Sequence, residues 1–168
     1  MPRKKSNFHG WNRIVAKSKP HAKDLRRGRF SETGHYYLVS TVTRNRIQIF
    51  TSLACARAVV QAMHAMDEMG QCETLAWVLM PDHLHWLFVL QNARLPDLVG
   101  QMKQAAASKI NRLYDQLGPP VWQPGFHDRL LRQEEDIVDI ARYIVANPLR
   151  AGLVVRVGDY PYWDAVWL

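Results

Sequence analysis

Two short segments carry residue types that can do chemistry. His83-Leu84-His85 sits inside the apolar run LAWVLMPDHLHWLFVL at 75–90. Strand side chains alternate between faces, so both imidazoles emerge on one side while Leu84 points to the other. Two neutral imidazoles that close can share one divalent ion, and neither suits an apolar interior. The plainer alternative is a pair of surface histidines on an exposed sheet. The apolar flanks, 75–80 and 86–90, put the pair on a central strand rather than an edge. The second segment holds Tyr143 and Asn147, four residues apart and so on one face of a helix. A phenol beside an amide oxygen able to act as a third ligand makes a nucleophile–metal arrangement for attack on a phosphate. The plainer alternatives are a packed aromatic for Tyr143 and, before Pro148, a helix C-cap for Asn147.

These residues need elements to position them. Residues 36–43, YYLVSTVT, have the β-branched and aromatic composition of a strand, and Arg44-Asn45-Arg46 follows as a basic turn or strand end. Ser52 is the expected N-cap of a helix reaching about Met69, with Leu53, Ala56, Val60 and Met63 inward and Gly70 as its stop. Two strand-length runs at 73–80 and 83–90 meet in a tight connection at Pro81-Asp82. A second helix is expected from about Leu95 to Leu117, with Leu98, Met102, Ala105, Ala106, Leu113 and Leu117 inward and Gly118-Pro119-Pro120 ending it. Lys103, Lys109 and Arg112 lie off that stripe, facing water or a phosphate backbone.

Residues 127–133 read as a fourth strand. Glu134, Glu135 and Asp136 suit the N-terminus of a third helix that carries Ile137, Ile140, Ala141 and Ile144 inward and closes near Asn147-Pro148. The order describes an α+β protein, a ferredoxin-like βαββαβ unit with an antiparallel sheet and an extra C-terminal helix bearing Tyr143. Helices cover one face of its central hairpin, and the other face is left to hold a site.

A chain of 168 residues with 48% hydrophobic content is expected to form one globular domain with a sizeable core. Its net charge of +7 is unevenly placed. Residues 1–33 hold ten Lys/Arg against Asp24 and Glu32, whereas 34–168 hold twelve against thirteen acidic residues. The chain is therefore expected to divide into a basic arm, 1–33, and a domain, 34–168, that carries the candidate catalytic residues. Such asymmetry suits an arm that follows a polyanion, or a solvated tail. Cys55 and Cys72 match no zinc or redox spacing and read as buried thiols in a reducing cytoplasm. No secretory signal and no run of roughly 18 apolar residues is present, so a soluble protein without a membrane partner is expected.

The sequence also resembles a known family. The 75–90 segment resembles the W-V-x-M-P-x-H-x-H signature of the REP-associated tyrosine transposases, and YIVANPLRAGLV at 143–154 resembles their Y-I-x-x-N-P-x-R-A-G-L-V block. WQPGFHDR at 122–129 and the entry segment at 24–46 are similar too, so the resemblance runs collinearly over about 24–165. It implies a single-tyrosine endonuclease and strand transferase with a His-hydrophobic-His motif. His83 and His85 would be metal ligands, Asn147 the third, and Tyr143 the nucleophile, with Mg²⁺ or Mn²⁺ as cofactor. Asp82 stands where the family often has Asn, and Pro124-Gly125 where a basic residue often precedes Phe126.

The implied substrate is single-stranded DNA with a hairpin of the repetitive extragenic palindromic type, cut through a 5′-phosphotyrosine in the bacterial cytoplasm at the nucleoid. A monomer is expected, with a dimer as the alternative. Arg26, Arg27, Arg29, Arg44 and Arg46 are the first candidates to hold the DNA, followed by Lys103, Lys109 and Arg112. His127 and Asp128 are candidate bases only by proximity in the chain. Two other functions fit the same residues: a hairpin-binding relative that no longer cuts, and a hydrolase that uses water in place of Tyr143.

Overall fold

A computed structural model of the chain describes residues 31–114, 120–131 and 135–167, which belong to one compact unit. The arm at 1–30, with Arg26, Arg27 and Arg29, lies outside the described residues. Ser31, Glu32 and Thr33, assigned to the arm by charge, are tied to the body. The Leu95 amide donates to Ser31 Oγ at 2.9 Å, the Glu32 amide to the Tyr37 hydroxyl at 3.1 Å, and Thr33 Oγ1 to the Gln91 carbonyl at 3.1 Å.

The elements follow as β1 (Tyr36–Val42), α1 (Leu53–Glu68), β2 (Cys72–Met80), β3 (His83–Leu90), α2 (Leu95–Leu113), β4 (His127–Leu131), α3 (Glu135–Val145), the single turn α4 (Asn147–Arg150) and β5 (Trp163–Ala165). The strands form one antiparallel sheet in the order β4-β1-β3-β2-β5. The first four are the ferredoxin-like arrangement read from the sequence. β5, which three residues are too short to announce by any periodicity, extends it beyond β2.

Helices α1 and α2 cover one face. Their buried residues, among them Val59, Met63, Leu98 and Met102, join Trp77, Leu79, Leu84, Trp86 and Phe88 of the central strands in the main core. Trp86 is fully buried, and its indole N–H donates to Thr74 Oγ1 at 3.0 Å, so its bulk enters the core without an orphaned donor. Helix α3 packs on β2 and β5, and Ile137, Ile140, Ala141 and Ile144 are buried there as read.

Several helix details differ from the sequence reading. Ser52 makes no side-chain capping bond, and Leu53 is 58% exposed. Ala56 and Met63 are buried as read, and the buried stripe also takes in Cys55, Val59, Ala62 and Met66, positions spaced three and four apart. Gly70 does stop α1, with φ +66° and its amide donating to the Asp67 carbonyl at 2.8 Å. Helix α2 ends at Leu113, which is 53% exposed, rather than at Leu117, which lies outside the described residues. Ile110 takes the inward position. The third helix closes at Val145, just before Asn147-Pro148 as read, and those two residues open a separate turn, because proline fits the first turn of a helix. Among the described residues no helix is long and apolar enough to cross a membrane. Cys55 and Cys72 are free and buried, and the Cys72 thiol is raised by burial and by its bond to Asp67.

Candidate active site

The histidines stand on β3, between β1 and β2, at the centre of the sheet. Leu84 and Trp86 point into the main core, so alternation turns His83 and His85 to the opposite face. The two ring centroids are 4.9 Å apart with planes at 86°. Each ring is held at Nδ1. His83 Nδ1 meets Asp82 Oδ1 at 2.5 Å, and His85 Nδ1 meets Ser40 Oγ at 2.6 Å from directly across β1. An ionised carboxylate can only accept, so His83 donates from Nδ1, and its Nε2 keeps a lone pair when the ring is neutral. The Nδ1–H tautomer of His85, donating to Ser40, leaves Nε2 in the same state.

Electrostatics favour the neutral form of His85. Burial pushes the His85 imidazole down, with further lowering from His83 and Arg150 against an opposing effect of Asp82, to about 3, so the ring is neutral at physiological pH. Burial alone would raise the Asp82 carboxyl. The hydrogen bond and charge of His83, then those of Arg46, outweigh it and hold the group below its ordinary value. Two imidazoles, each held at Nδ1 by a second group and so presenting Nε2, fit a divalent ion. Among the described residues no cluster of three His, Cys, Asp or Glu could hold a metal.

The turn carrying Asp82 is fastened by the segment after β1. The Thr43 amide donates to the Asp82 carbonyl at 2.8 Å, Thr43 Oγ1 to the same oxygen at 3.0 Å, and the Phe50 amide to the Pro81 carbonyl at 3.0 Å. Within that segment Asn45 and Arg46 both have φ +54°, a left-handed conformation that costs non-glycine residues about 1 kcal/mol each. It brings Arg46 NH1 to Asp82 Oδ2 at 3.1 Å. Arg44 is exposed on the same turn.

The other half of the site comes from the end of α3. Tyr143 is half-buried, and the Arg150 guanidinium lies 3.8 Å from its ring centroid. Arg150 NH2 donates to Asn147 Oδ1 at 2.5 Å, while Asn147 Nδ2 donates to the Ile144 carbonyl at 2.8 Å. Asn147 thus caps the Ile144 carbonyl at the end of α3 through its side chain, as the plainer reading had it, and its oxygen faces a cation. Arg150 interacts electrostatically with both Tyr143 and His85. It was not singled out in the sequence, because it lies beyond the end of the helix and reaches the Tyr143 ring only through the turn at Asn147–Arg150.

The remaining candidates separate. Lys103 is half-buried, and its ammonium donates to the Gln123 and Gly125 carbonyls at 2.7 and 2.6 Å. Burial pushes it down to about 8. Lys109 donates to Gln61 Oε1 at 3.1 Å, and Arg112 is exposed in the last turn of α2. All three ride on α2, which covers the face opposite the histidines. His127 is exposed and pairs with Ser40, so the row His85-Ser40-His127 shares one face, while Asp128 pairs with Val39 of the core side.

Fold and site together define a class: a ferredoxin-like sheet with a histidine pair on its open face and a tyrosine on the helix that closes over it. A family model described as Transposase IS200 like matches residues 31–147, well over half of the chain, and the chain belongs to that family. The REP-associated tyrosine transposase of Escherichia coli (strain K12) is 28% identical over 96 residues, covering 54% of this chain and 52% of the relative, so the chain spans about half the length of that curated relative. A solved structure described as a REP-associated tyrosine transposase bound to a REP hairpin has the same fold, with a TM-score of 0.65 at 23% identity, covering 80% of this chain and 79% of that one.

Proposed function

We propose that the chain is an endonuclease and strand transferase for single-stranded DNA, acting at REP-type hairpins through a 5′-phosphotyrosine on Tyr143, with Mg²⁺ or Mn²⁺ held by His83, His85 and Asn147. One observation carries the reading. Arg150 lies on the Tyr143 ring, bonds Asn147 and acts electrostatically on His85, which makes the phenol-bearing helix end and the imidazole face one neighbourhood within one chain. A monomer is then sufficient for the chemistry. A bound divalent ion would supply Lewis-acid polarisation of the scissile phosphate.

The chain's own groups do the rest. Asp82 and Ser40 keep the two Nε2 lone pairs directed outward. Tyr143 attacks phosphorus in line: its oxygen–phosphorus bond forms as the bond to the 3′-oxygen breaks, the phenolic proton passes to solvent, and the departing oxygen gains one. The phosphodiester survives as a phosphotyrosine, so a new 3′-hydroxyl can reverse the step and join a different strand. Attack by water would forfeit that. The cut site must be unpaired for its backbone to bend across the sheet. The relative bound to a REP hairpin supports a hairpin stem as the neighbouring feature. Arg44, Arg46 and the arm with Arg26, Arg27 and Arg29 are the cations assigned to it.

Incubation with end-labelled hairpin DNA and Mn²⁺ or Mg²⁺ tests the reading. It predicts a covalent adduct that survives denaturation, is lost on chelation and is absent in Tyr143→Phe. Hairpin binding without any adduct would identify a silent binding protein. Cleavage that persists in Tyr143→Phe but disappears in His83→Ala would identify a water-using hydrolase.

A further inference from the structure

Arg150 occupies a position at odds with a cation site. Its NH2 group donates to Asn147 Oδ1 at 2.5 Å, and its guanidinium stacks at 3.8 Å from the Tyr143 ring centroid. Its charge bears on His85. Guanidinium keeps its charge at every pH a protein tolerates. A divalent ion approaching the imidazoles and Asn147 Oδ1 therefore meets a fixed positive charge already bonded to one of its donors. The stacking on Tyr143 gives Arg150 a second hold, so releasing Asn147 need not release the ring.

We propose that Arg150 is a competing cation built into the site: it holds Asn147 Oδ1 while the ion is absent, yields that oxygen when the ion enters, and then turns to the DNA phosphate while still over Tyr143. The inference rests on the metal-dependent reading above. It assigns Arg150 two opposed effects, weaker ion binding to the free protein and better placement of the phosphate and phenol. A residue that merely stabilises the fold would not produce that opposition.

The test is a Mn²⁺ titration of the full chain without DNA, read by the electron paramagnetic resonance of free Mn²⁺, beside single-turnover adduct formation on hairpin DNA. Arg150→Gln and Arg150→Leu remove the charge, and Arg150→Lys keeps it. Removal of one positive charge near a divalent ion is expected to tighten Mn²⁺ binding about tenfold, while adduct formation slows. Arg150→Lys is expected to bind Mn²⁺ within about threefold of wild type, because its charge remains. Unchanged or weaker Mn²⁺ binding in a neutral variant with a wild-type melting curve overturns the proposal.

If both neutral variants fail to fold, wild-type protein labelled with ¹⁵N-arginine decides. The Arg150 Nε–H resonance must shift as Mg²⁺ saturates the site, and a stationary resonance overturns the competition. Failure of the underlying reading looks different, because the wild type would then bind no Mn²⁺ and form no adduct.

Discussion

Asp82 joins His83 to Arg46. One carboxylate oxygen meets His83 Nδ1 at 2.5 Å and the other accepts from Arg46 NH1 at 3.1 Å, so a histidine of the site and the basic turn share one side chain. Groups that orient a metal-binding histidine typically matter by about 10–100-fold in metal affinity or activity. Asp82→Ala should therefore weaken Mn²⁺ binding by about 10–100-fold. Asp82→Asn keeps an acceptor for His83 and should lose less than about tenfold. Equal Mn²⁺ affinity in Asp82→Ala and wild type would mean that His83 needs no second group to orient it.

Ser40 serves His85 in the same way from the neighbouring strand, at 2.6 Å. Ser40→Ala removes that partner and frees the ring to rotate. Adduct formation should fall about tenfold. Melting should change by no more than about 1 kcal/mol, because only one hydrogen bond is lost. A circular-dichroism melt beside the adduct assay separates the two effects.

The histidine pair was legible because strand alternation has a period of two, and Leu84 and Trp86 are unambiguous core residues. Ser40 was not, because the pairing of Ser40 with His85 is a matter of register between strands 45 residues apart. Leu53 was misread for a related reason. Hydropathy marks it as inward, but the face of α1 is set by the small residues Cys55, Ala58 and Ala62 that let the helix approach the sheet. Lys103 was read as an outward cation, and the backbone at 123–125 that folds back over it has no local sequence signature. Arg150 lay in plain view within the 143–154 block. Its role depends on the turn at Asn147–Arg150, which returns the chain to the face of Tyr143.

Lys103 gives a pH-dependent prediction. Its ammonium holds the loop after Pro120 through two carbonyls, and burial lowers it to about 8 from an ordinary 10.5. Between those values the unfolded chain binds the proton and the folded chain does not, so this group's contribution to stability rises with pH from about 8 toward 10.5. Lys103→Met should lose about 1–3 kcal/mol at pH 7, from two hydrogen bonds. Denaturant melts from pH 7 to 10 should show the gap between wild type and variant widening with pH. Hairpin affinity in the folded variant should stay within about twofold of wild type, since the amine is already engaged; a large loss would put it on the DNA after all.

Arg44 and Arg46 share a turn but not a situation. Arg46 is paired with Asp82, whereas Arg44 is exposed with no ion-pair partner among the described residues. A cation that neutralises a phosphate steepens the fall of log affinity with log salt by about 0.7–0.9, depending on strandedness. If Arg44 sits on the stem, Arg44→Gln should flatten the slope by about that amount. Arg46 must leave Asp82 to do the same, so Arg46→Gln should flatten it less and, unlike Arg44→Gln, slow adduct formation through Asp82 and His83. Salt titrations of hairpin binding from 50 to 300 mM, run on both variants with the adduct assay alongside, read these effects separately. Identical behaviour of the two arginines would show that the Arg46–Asp82 pair carries no information from the DNA to the histidines.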